Sequence, residues 1–361
     1  MLDVVHFGGG SLGLGLVVAT LAEAGARVTV ADADAGLVAA LRARGGYDVD
    51  VHDGAAVTTR FVRVAGAIDV GEGPGALRAT LAAADLVTTA VRVPNLHAVA
   101  ALLDATLPAA GDGAAWPRIV ACENLAGSSG VLAAAVAAVR TWPAERVAAT
   151  FLDAEVDRIC QTAWPERLAV ATEPYREWAV ADPAGVLASV RGVTRVADLA
   201  PYFDRKRAFV NAVADAYAFL GTARGMTYLH EAALDEALGG TIAALQDDLI
   251  RHVARWPQFD AAQLRAYADV AAGRLANPGI RRRIDTVARD LERKLAPGER
   301  FVEPALGLVR AGHGPVGLAV VIAALLDTAP ALWSREWSAA WGGDETAQAL
   351  WARVARGRRT P

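Results

Sequence analysis

The chain has 361 residues, of which 54% are hydrophobic and 21% are charged, so it can form about two folded domains with large cores. Its formal net charge of −4 provides no basic surface of the kind that binds nucleic acid. The two cysteines cannot form a disulfide framework and indicate a cytoplasmic protein. The start of the chain lacks the features of a signal peptide. The longest apolar run, Val316–Leu326, is shorter than the ~20 residues of a membrane span.

The first predicted elements are a short strand over Val4–Phe7, a glycine-rich turn and an apolar, alanine-rich helix that ends near Ala24. The turn has the spacing G-x-G-x-x-G. The first glycine permits the tight turn, the second lets backbone amides approach a pyrophosphate, and the third lets the helix pack close to the strand. A helix N-terminus at this point faces the anion. The residues predicted to bind a dinucleotide here are Gly8, Gly10, Ser11, Leu12 and Gly13.

A second strand, Arg27–Ala31, ends at Asp32, which lies 19 residues beyond Gly13 and so close to the ~20 expected for the acidic residue of a dinucleotide site. A carboxylate there accepts hydrogen bonds from the adenosine ribose and repels a 2′-phosphate. No arginine or lysine follows before Arg42, so we predict NAD rather than NADP. The alternative is that Asp32 only caps the helix that begins at Ala35.

The rest of the first half alternates strands and helices. The further predicted strands are Asp85–Val91, Arg118–Ala121 and Val147–Leu152. The predicted helices are Leu37–Arg44, Ala76–Ala83, Leu96–Leu107 and Ser129–Thr141. This alternation is typical of an α/β fold with a doubly wound, Rossmann-type parallel sheet. Residues 168–180 and 192–196 read as added strands and loops.

From Leu199 onwards the spacing of apolar residues is helical. The predicted helices are Pro201–Leu220, Leu229–His252, Ala261–Ala276, Ile280–Leu295 and Leu318–Leu326. We therefore predict a dinucleotide-binding Rossmann-type domain over residues 1–195 and an all-helical substrate and catalytic domain over residues 196–361. No cluster has metal-ligand spacing, so no metal is predicted.

The segment that opens the helical half mixes apolar and basic residues. Its buried side is predicted from Phe203, Val210 and Val213. On an α-helix Lys206 and Asn211 lie about 140° apart around the axis, so both can border one cleft without touching. Composition alone predicts that the basic run 205–207 is a solvated face.

The order and spacing of these motifs resemble the polyol-specific long-chain dehydrogenases, and within them most closely the mannitol-1-phosphate 5-dehydrogenase group. The matching segments are 6–15, 85–91, 121–124, 156–159, 177–178, 205–206 with Asn211, 234–236, 277–278 and 293–295. The resemblance implies an NAD-dependent enzyme that interconverts a secondary alcohol and a ketone on a polyol or sugar-phosphate-like substrate, of the mannitol 1-phosphate and fructose 6-phosphate type.

The resemblance also implies roles for individual residues. Lys206 matches the catalytic lysine, which is the general base in alcohol oxidation and the general acid in ketone reduction; a lysine can act so when burial or nearby positive charge lowers its pKa. Asn211 and Asn124 match amides that stabilise the partial alkoxide at the reacting oxygen. Glu123 and Cys122 would be supporting residues. The cofactor-binding residues that the match adds are Thr89, Ala90 and Val91.

Three positions depart from the family pattern. The family continues Lys-x4-Asn-x2-His, and Ala214 stands where that histidine holds substrate oxygens. Leu14 replaces an arginine of the glycine loop, and Arg92 stands where the family usually has glycine. We hypothesise that Arg92 places a charge in the same cleft and binds a different acidic group; the alternative is a surface arginine at a strand end.

Other charged residues carry weaker signals. Asp157 and Arg158 can form a buried ion pair or contact the substrate. The basic group Arg289, Arg293, Lys294 and Arg300 can bind a phosphate or carboxylate, or can be solvated. His230 and His313 are candidates to replace the missing histidine. The alternative functions are an opine-type dehydrogenase and a cofactor-binding relative that has lost catalysis; the sequence leaves the oligomeric state open.

Overall fold

The structure is a computed structural model that describes residues 1–107, 116–139 and 143–358. The chain divides into two compact units, Met1–Leu199 and Ala200–Pro361. The domain boundary predicted between residues 195 and 196 lies four residues before this division. The predicted fold class, a Rossmann-type α/β domain followed by a helical domain, is confirmed.

All strands that the structure describes lie in the N-terminal unit. They are β1 (Asp3–Phe7), β2 (Arg27–Asp32), β3 (Gly46–Asp53), β4 (Ala56–Arg63), β5 (Gly66–Asp69), β6 (Leu86–Thr89), β7 (Arg118–Ala121), β8 (Ala154–Asp157), β9 (Cys160–Thr162), β10 (Ala169–Thr172), β11 (Glu177–Val180) and β12 (Thr194–Arg195). The α-helices of this unit are α1 (Ala19–Glu23), α2 (Ala35–Arg44), α3 (Pro74–Ala82), α4 (Leu96–Thr106), α5 (Ser128–Val139) and α6 (Ala144–Thr150). A π-helical turn, Gly13–Val18, leads into α1.

The main sheet is parallel, with the strand order β5-β2-β1-β6-β7. In its register Val5 lies beside Thr29 on one side and Val87 on the other. The chain order reverses at β1, and ligands of such sheets bind at the carboxyl ends of the strands at this reversal. Two smaller sheets, β4-β3-β10-β9 and β12-β11-β8, complete the unit.

The sequence of β1 explains why this sheet is covered on both faces. Successive side chains of a strand point to opposite faces. Val4 accordingly packs in one core cluster with Leu16, whereas Val5 and Phe7 pack in another with Leu103. All side chains from Val4 to Phe7 are buried, His6 included, as is typical of a strand in a parallel sheet that has helices on both sides.

Two parts of the N-terminal unit differ from the sequence-based expectations. The predicted strand Val147–Leu152 is wrong, because most of it belongs to helix α6, which Pro143 precedes directly. The hairpin of β3 and β4 was not predicted, since seven of the eight residues of β4 are exposed and the strand shows no alternation of apolar and polar residues. The predicted helix Ser129–Thr141 is α5, and its last two predicted residues lie outside the described residues.

The C-terminal unit is helical. Its α-helices are α7 (Ala200–Lys206), α8 (Val213–Thr222), α9 (Leu229–Ala233), α10 (Glu236–Val253), α11 (Ala261–Leu275), α12 (Ile284–Val287), α13 (Leu291–Lys294), α14 (Val302–Arg310), α15 (Val316–Asp327), α16 (Trp337–Ala340) and α17 (Glu345–Arg356). A π-helical turn, Arg207–Ala212, joins α7 to α8. Within the described ranges no helix combines the length and the apolar character that crossing a bilayer requires.

Two long helices, α10 and α15, cross closely in the core of this unit. A Cβ atom at Gly317 would lie 2.0 Å from the carbonyl oxygen of Ala244, so only glycine allows this approach. The predicted helix Leu229–His252 is interrupted, because α9 ends at Ala233 and Asp235 then caps α10 by accepting a hydrogen bond from the Ala237 amide at 2.9 Å. The predicted helix Ile280–Leu295 is reduced to α12 and α13, between which Asp290 has a left-handed backbone with φ of 56°.

Candidate active site

The glycine turn after β1 is held by close backbone contacts. Gly8 has φ of 106°, and a Cβ atom there would lie 2.5 Å from the carbonyl oxygen of Ala90. A Cβ atom at Gly13 would lie 2.0 Å from the Gly8 carbonyl oxygen. Gly10, in contrast, is exposed and has no neighbour within 4 Å of such an atom. Two of these glycines are therefore needed for packing, and the third leaves the backbone open to a ligand.

The buried side chain of His6 supports this turn by hydrogen bonding. The Nε2 atom of His6 lies 2.9 Å from the carbonyl oxygen of Gly8, and Nδ1 lies 2.7 Å from Oγ1 of Thr88. Since a carbonyl oxygen can only accept, Nε2 carries the proton and Nδ1 accepts from the hydroxyl group. Complete burial lowers the pKa of His6 to about 4 and keeps the ring neutral.

Because His6 is buried as a neutral ring, we predict that the free energy of unfolding depends on pH. Its pKa is about 4 in the folded chain and 6.5 in the reference state, so below pH 6.5 only the unfolded chain gains the proton. Stability is therefore lost as pH falls from 6.5 to 4, and about 2 kcal/mol is lost by pH 5. His6→Gln should lack this loss in denaturant unfolding at pH 7.5 and 5. His97→Gln, at an exposed site of α4, is the control and should behave as the wild type. An equal loss in His6→Gln and wild type would contradict the assignment.

Asp32 lies at the end of β2, directly against the glycine turn. Its Oδ2 accepts a hydrogen bond from the Gly9 amide at 2.5 Å, and its Oδ1 accepts from the Asp34 amide at 2.8 Å. The cap of α2 is Asp34, which accepts from the Leu37 amide, so the alternative that Asp32 caps this helix is wrong. Arg42 is the first basic residue after Asp32 in the sequence, and its guanidinium donates to the Ala67 carbonyl oxygen and to Glu72.

We expect Asp32→Ser to lower kcat/KM for NADH by about 10- to 100-fold, because a hydrogen bond to a charged group contributes about 1.5–3 kcal/mol. Discrimination against NADPH should fall, since the carboxylate no longer repels the 2′-phosphate. Steady-state rates with both coenzymes measure this. Asp34→Ser is the matched control: it removes a neighbouring carboxylate and should leave the coenzyme preference unchanged. An unchanged preference in Asp32→Ser would refute the assignment.

The segment after β6 is held by one buried carboxylate. Oε1 of Glu123 accepts from Oγ1 of Thr89 at 2.8 Å and from the Val91 amide at 2.9 Å, and Oε2 accepts from the Arg92 amide at 2.8 Å. The Ala90 amide donates to the carbonyl oxygen of Phe7, which joins this segment to the glycine turn. Glu123 thus supports the segment by direct hydrogen bonds, and Asn124 follows it at an exposed position.

Arg92 is exposed and has φ of 70°, in the left-handed region that favours glycine. We expect Arg92→Gly to raise the free energy of unfolding of the N-terminal unit by about 1 kcal/mol, because it relieves this strain. Arg92→Ala removes the same charge but keeps the strain, so it should give no such gain in denaturant unfolding. If Arg92 binds an acidic group, both variants should raise KM for a sugar phosphate; an unchanged KM in Arg92→Ala would refute that hypothesis.

Arg158 is buried and donates hydrogen bonds to two backbone carbonyl groups of the N-terminal unit. Its Nη1 donates to the Gly15 carbonyl oxygen at 2.7 Å, and its Nε and Nη2 donate to the Glu173 carbonyl oxygen. Burial lowers the pKa of Arg158. The guanidinium therefore holds the π-helical turn that follows the glycine loop, and Asp157 is buried beside it at the end of β8.

In the C-terminal unit the π-helical turn changes the relation of Lys206 and Asn211. Hydrogen bonds of a π-helix join residues five apart. Lys206 stands directly before this turn and Asn211 lies within it, so the two are one turn apart on the same side of the helix. The expected separation of 140° is wrong, because it assumed 3.6 residues per turn. Both side chains are partly exposed, whereas residues 208–210 are buried.

The expectation that residues 205–207 form a solvated face is also wrong. Arg207 donates to Oδ1 of Asp204 at 3.0 Å and to the carbonyl oxygen of Gly298 at 2.8 Å. The guanidinium of Arg205 lies 4.2–5.2 Å from the ring centres of Tyr202, Phe259 and Tyr267. Both flanking cations are therefore held by packing, and all three residues are only partly exposed.

Sequence reasoning missed a buried ionic cluster around Asp215. Its Oδ1 accepts from Nζ of Lys294 and its Oδ2 from Nη1 of Arg300, both at 2.9 Å. Lys294 also donates to the Val287 carbonyl oxygen at 2.6 Å. Burial raises the pKa of Asp215, against the opposing effect of the two cations. The sequence signal that could have revealed this cluster is the single carboxylate of Asp215 inside an otherwise largely apolar helix.

The remaining candidates make no direct hydrogen bond to Asp215 among the contacts of the described residues. Arg289 is exposed, and Arg293 pairs with Glu299 at 2.8 Å near the surface. His230 stacks on Tyr228, and His313 is exposed. Ala214, at the place of the family histidine, is buried. Among the described residues no group of three histidine, cysteine, aspartate or glutamate side chains has a geometry that holds a metal ion.

Comparisons with known proteins cover both units. The family model of the mannitol dehydrogenase Rossmann domain matches residues 2–191, and that of the mannitol dehydrogenase C-terminal domain matches residues 198–328. The mannitol-1-phosphate 5-dehydrogenase of Arthrobacter sp. (strain FB24) is 33% identical over 90% of this chain and 86% of its own length. That of Brevibacillus brevis is 34% identical over 89% of this chain and 85% of its own length.

Two solved structures show the same fold. A mannitol 2-dehydrogenase from Pseudomonas fluorescens, in a ternary complex with NAD and D-mannitol, has a TM-score of 0.70 at 19% identity and covers 91% of this chain and 79% of that one. A substrate-free D-sorbitol dehydrogenase has a TM-score of 0.78 at 18% identity and covers 98% of this chain and 91% of that one. With both family models matched in order, the chain belongs to the mannitol dehydrogenase family of oxidoreductases.

Proposed function

We propose that the protein is an NAD-dependent dehydrogenase that interconverts a secondary alcohol and a ketone on a polyol or sugar phosphate, of the mannitol 1-phosphate and fructose 6-phosphate type. The observation that carries the proposal is the placement of Lys206 and Asn211 one helical turn apart, both accessible to a small molecule. The relatives named mannitol-1-phosphate 5-dehydrogenase support the substrate class.

The N-terminal unit has the features that a dinucleotide needs. The open backbone at Gly10 leaves room for a pyrophosphate, and the Asp32 carboxylate can accept hydrogen bonds from the ribose. Glu123 holds the segment over Thr89–Val91 that would border the nicotinamide. When bound, NAD supplies the acceptor or donor of hydride. The proposed cofactor-binding residues are Gly8, Gly10, Ser11, Leu12, Gly13, Asp32, Thr89, Ala90 and Val91.

The chain's own residues would move the proton and hold the reacting oxygen. Lys206 Nζ accepts the hydroxyl proton in oxidation and returns it in reduction. The side-chain amides of Asn211 and Asn124 donate hydrogen bonds to the oxygen as it gains negative charge, which stabilises the transition state more than the ground state. Arg92 and Arg289 are exposed and available to an anionic group of the substrate. Asp157 and Arg293 remain weaker candidates for contacts with its hydroxyl or phosphate groups.

The experiment that tests this function follows NADH oxidation at neutral pH with fructose 6-phosphate, beside a panel of other ketose phosphates, free ketoses, nucleotides and keto acids. Turnover of fructose 6-phosphate would support the mannitol-1-phosphate type. Turnover of another ketose alone would keep the dehydrogenase and replace the substrate. NADH binding without turnover across the panel would overturn the proposal in favour of a cofactor-binding relative.

A further inference from the structure

One helix carries both proposed catalytic side chains of the C-terminal unit. It runs from α7 through the π-helical turn Arg207–Ala212 into α8 without a break. A π-helical turn in such a helix holds one residue more than an α-helical turn. The helix segments before and after the turn therefore have the same relative rotation as in a regular α-helix that is one residue shorter.

The burial pattern along this helix shows which residues of the turn a small molecule can reach. The partly exposed positions before and at the start of the turn are 202, 203 and 205–207, and the next one is Asn211. In a regular α-helix the residues one turn after Lys206 would be 209 and 210. Phe209 and Val210 are buried, so among the residues that follow Arg207 in the turn Asn211 alone is partly exposed.

Both flanks of the turn are fixed in rotation by buried carboxylates. On α7, Asp204 accepts from Arg207 at 3.0 Å, from Nη2 of Arg255 at 2.8 Å and from Nε1 of Trp256 at 2.8 Å. On α8, Asp215 accepts from Lys294 and Arg300. Neither helix can rotate without breaking several charge-assisted hydrogen bonds. The extra residue lets both anchors be satisfied at once.

We propose that this π-helical turn is a positioning device for the reaction. It absorbs one residue between the two anchors, so that Lys206 and Asn211 face the same substrate oxygen although they are five residues apart. This inference rests on the proposed function of that pair. It assigns a positioning role to the anchors Asp204 and Asp215, which hold the helix and do not touch the substrate.

The test is a single-residue deletion. Removing Ala208, a small buried residue of the turn, should let the helix close as a regular α-helix with Lys and Asn four residues apart, again one turn apart and with both anchors in place. The control deletes Ala218, a buried residue inside α8, which rotates the parts on either side by about 100°. We expect the Ala208 deletion to melt within a few degrees of the wild type and the Ala218 deletion to melt far lower or not fold.

Activity gives the second readout. Lysine-dependent turnover in the Ala208 deletion should stay within about tenfold of the wild type. A melting temperature as low as that of the Ala218 deletion would overturn the proposal, and so would a normal melting temperature with turnover reduced more than 100-fold. If the wild type reduces no ketose at all, the proposed function fails, while the comparison of melting temperatures still decides whether the turn holds an extra residue.

Discussion

Replacement of Lys206 with alanine is expected to lower kcat for ketone reduction by about 10²- to 10⁴-fold, which is the contribution typical of a positioned general acid or base. Lys206 belongs to the C-terminal unit and is not one of the proposed cofactor-binding residues, so the Kd for NADH should stay within about threefold of the wild type. Initial rates at saturating NADH measure the first quantity, and quenching of protein fluorescence by NADH measures the second.

One further variant separates proton transfer from charge, and a double variant tests whether Lys206 and Asn211 act as a unit. Lys206→Arg keeps the positive charge but cannot release a proton near neutral pH, so it should be nearly as slow as Lys206→Ala. Lys206→Ala with Asn211→Ala should be little slower than Lys206→Ala alone, because residues that act on one oxygen as a unit are not additive. Full activity in Lys206→Arg would show that only the charge matters and would contradict the proton-transfer role.

The cofactor half of the site follows closely from the sequence. Gly8, Gly10 and Gly13 act locally, through backbone conformation and the absence of a side chain, and the end of β2 fixes the distance to Asp32. Such features need only the order strand, turn, helix, strand, which short-range patterns define. The alternation of strands and helices along the first half of the chain likewise predicts the doubly wound parallel sheet.

The substrate half follows less well, because its geometry depends on contacts between distant segments. The π-helical turn arises where Asp204 and Asp215 each fix one flank of the helix, and their partners lie up to 85 residues further along the chain. A periodicity of 3.6 residues contains no such information, so the sequence placed Lys206 and Asn211 on different faces. The strand β4 was missed for another reason: Val62 is its one buried residue, so its sequence lacks the alternation of apolar and polar residues that marks a half-buried strand.

The cluster around Asp215 gives the second large expected effect. Asp215→Ala should lower the free energy of unfolding of the C-terminal unit by about 3–5 kcal/mol, because it leaves the buried charges of Lys294 and Arg300 without their carboxylate. The side chain of Lys294 is only 6% exposed, so water cannot replace the lost partner. Urea unfolding followed by tryptophan fluorescence measures the change.

Glu299 provides the matched control, since its carboxylate also accepts from Arg300 and pairs with Arg293 near the surface. Surface pairs contribute about 0–1 kcal/mol, so Glu299→Ala should be much milder than Asp215→Ala. Asp215→Asn should fall between them, because the amide keeps the shape and one acceptor but removes the charge. Equal effects of Asp215→Ala and Glu299→Ala would mean that the buried carboxylate does not anchor α8, and the rotation of the helix that carries Lys206 and Asn211 would then need another cause.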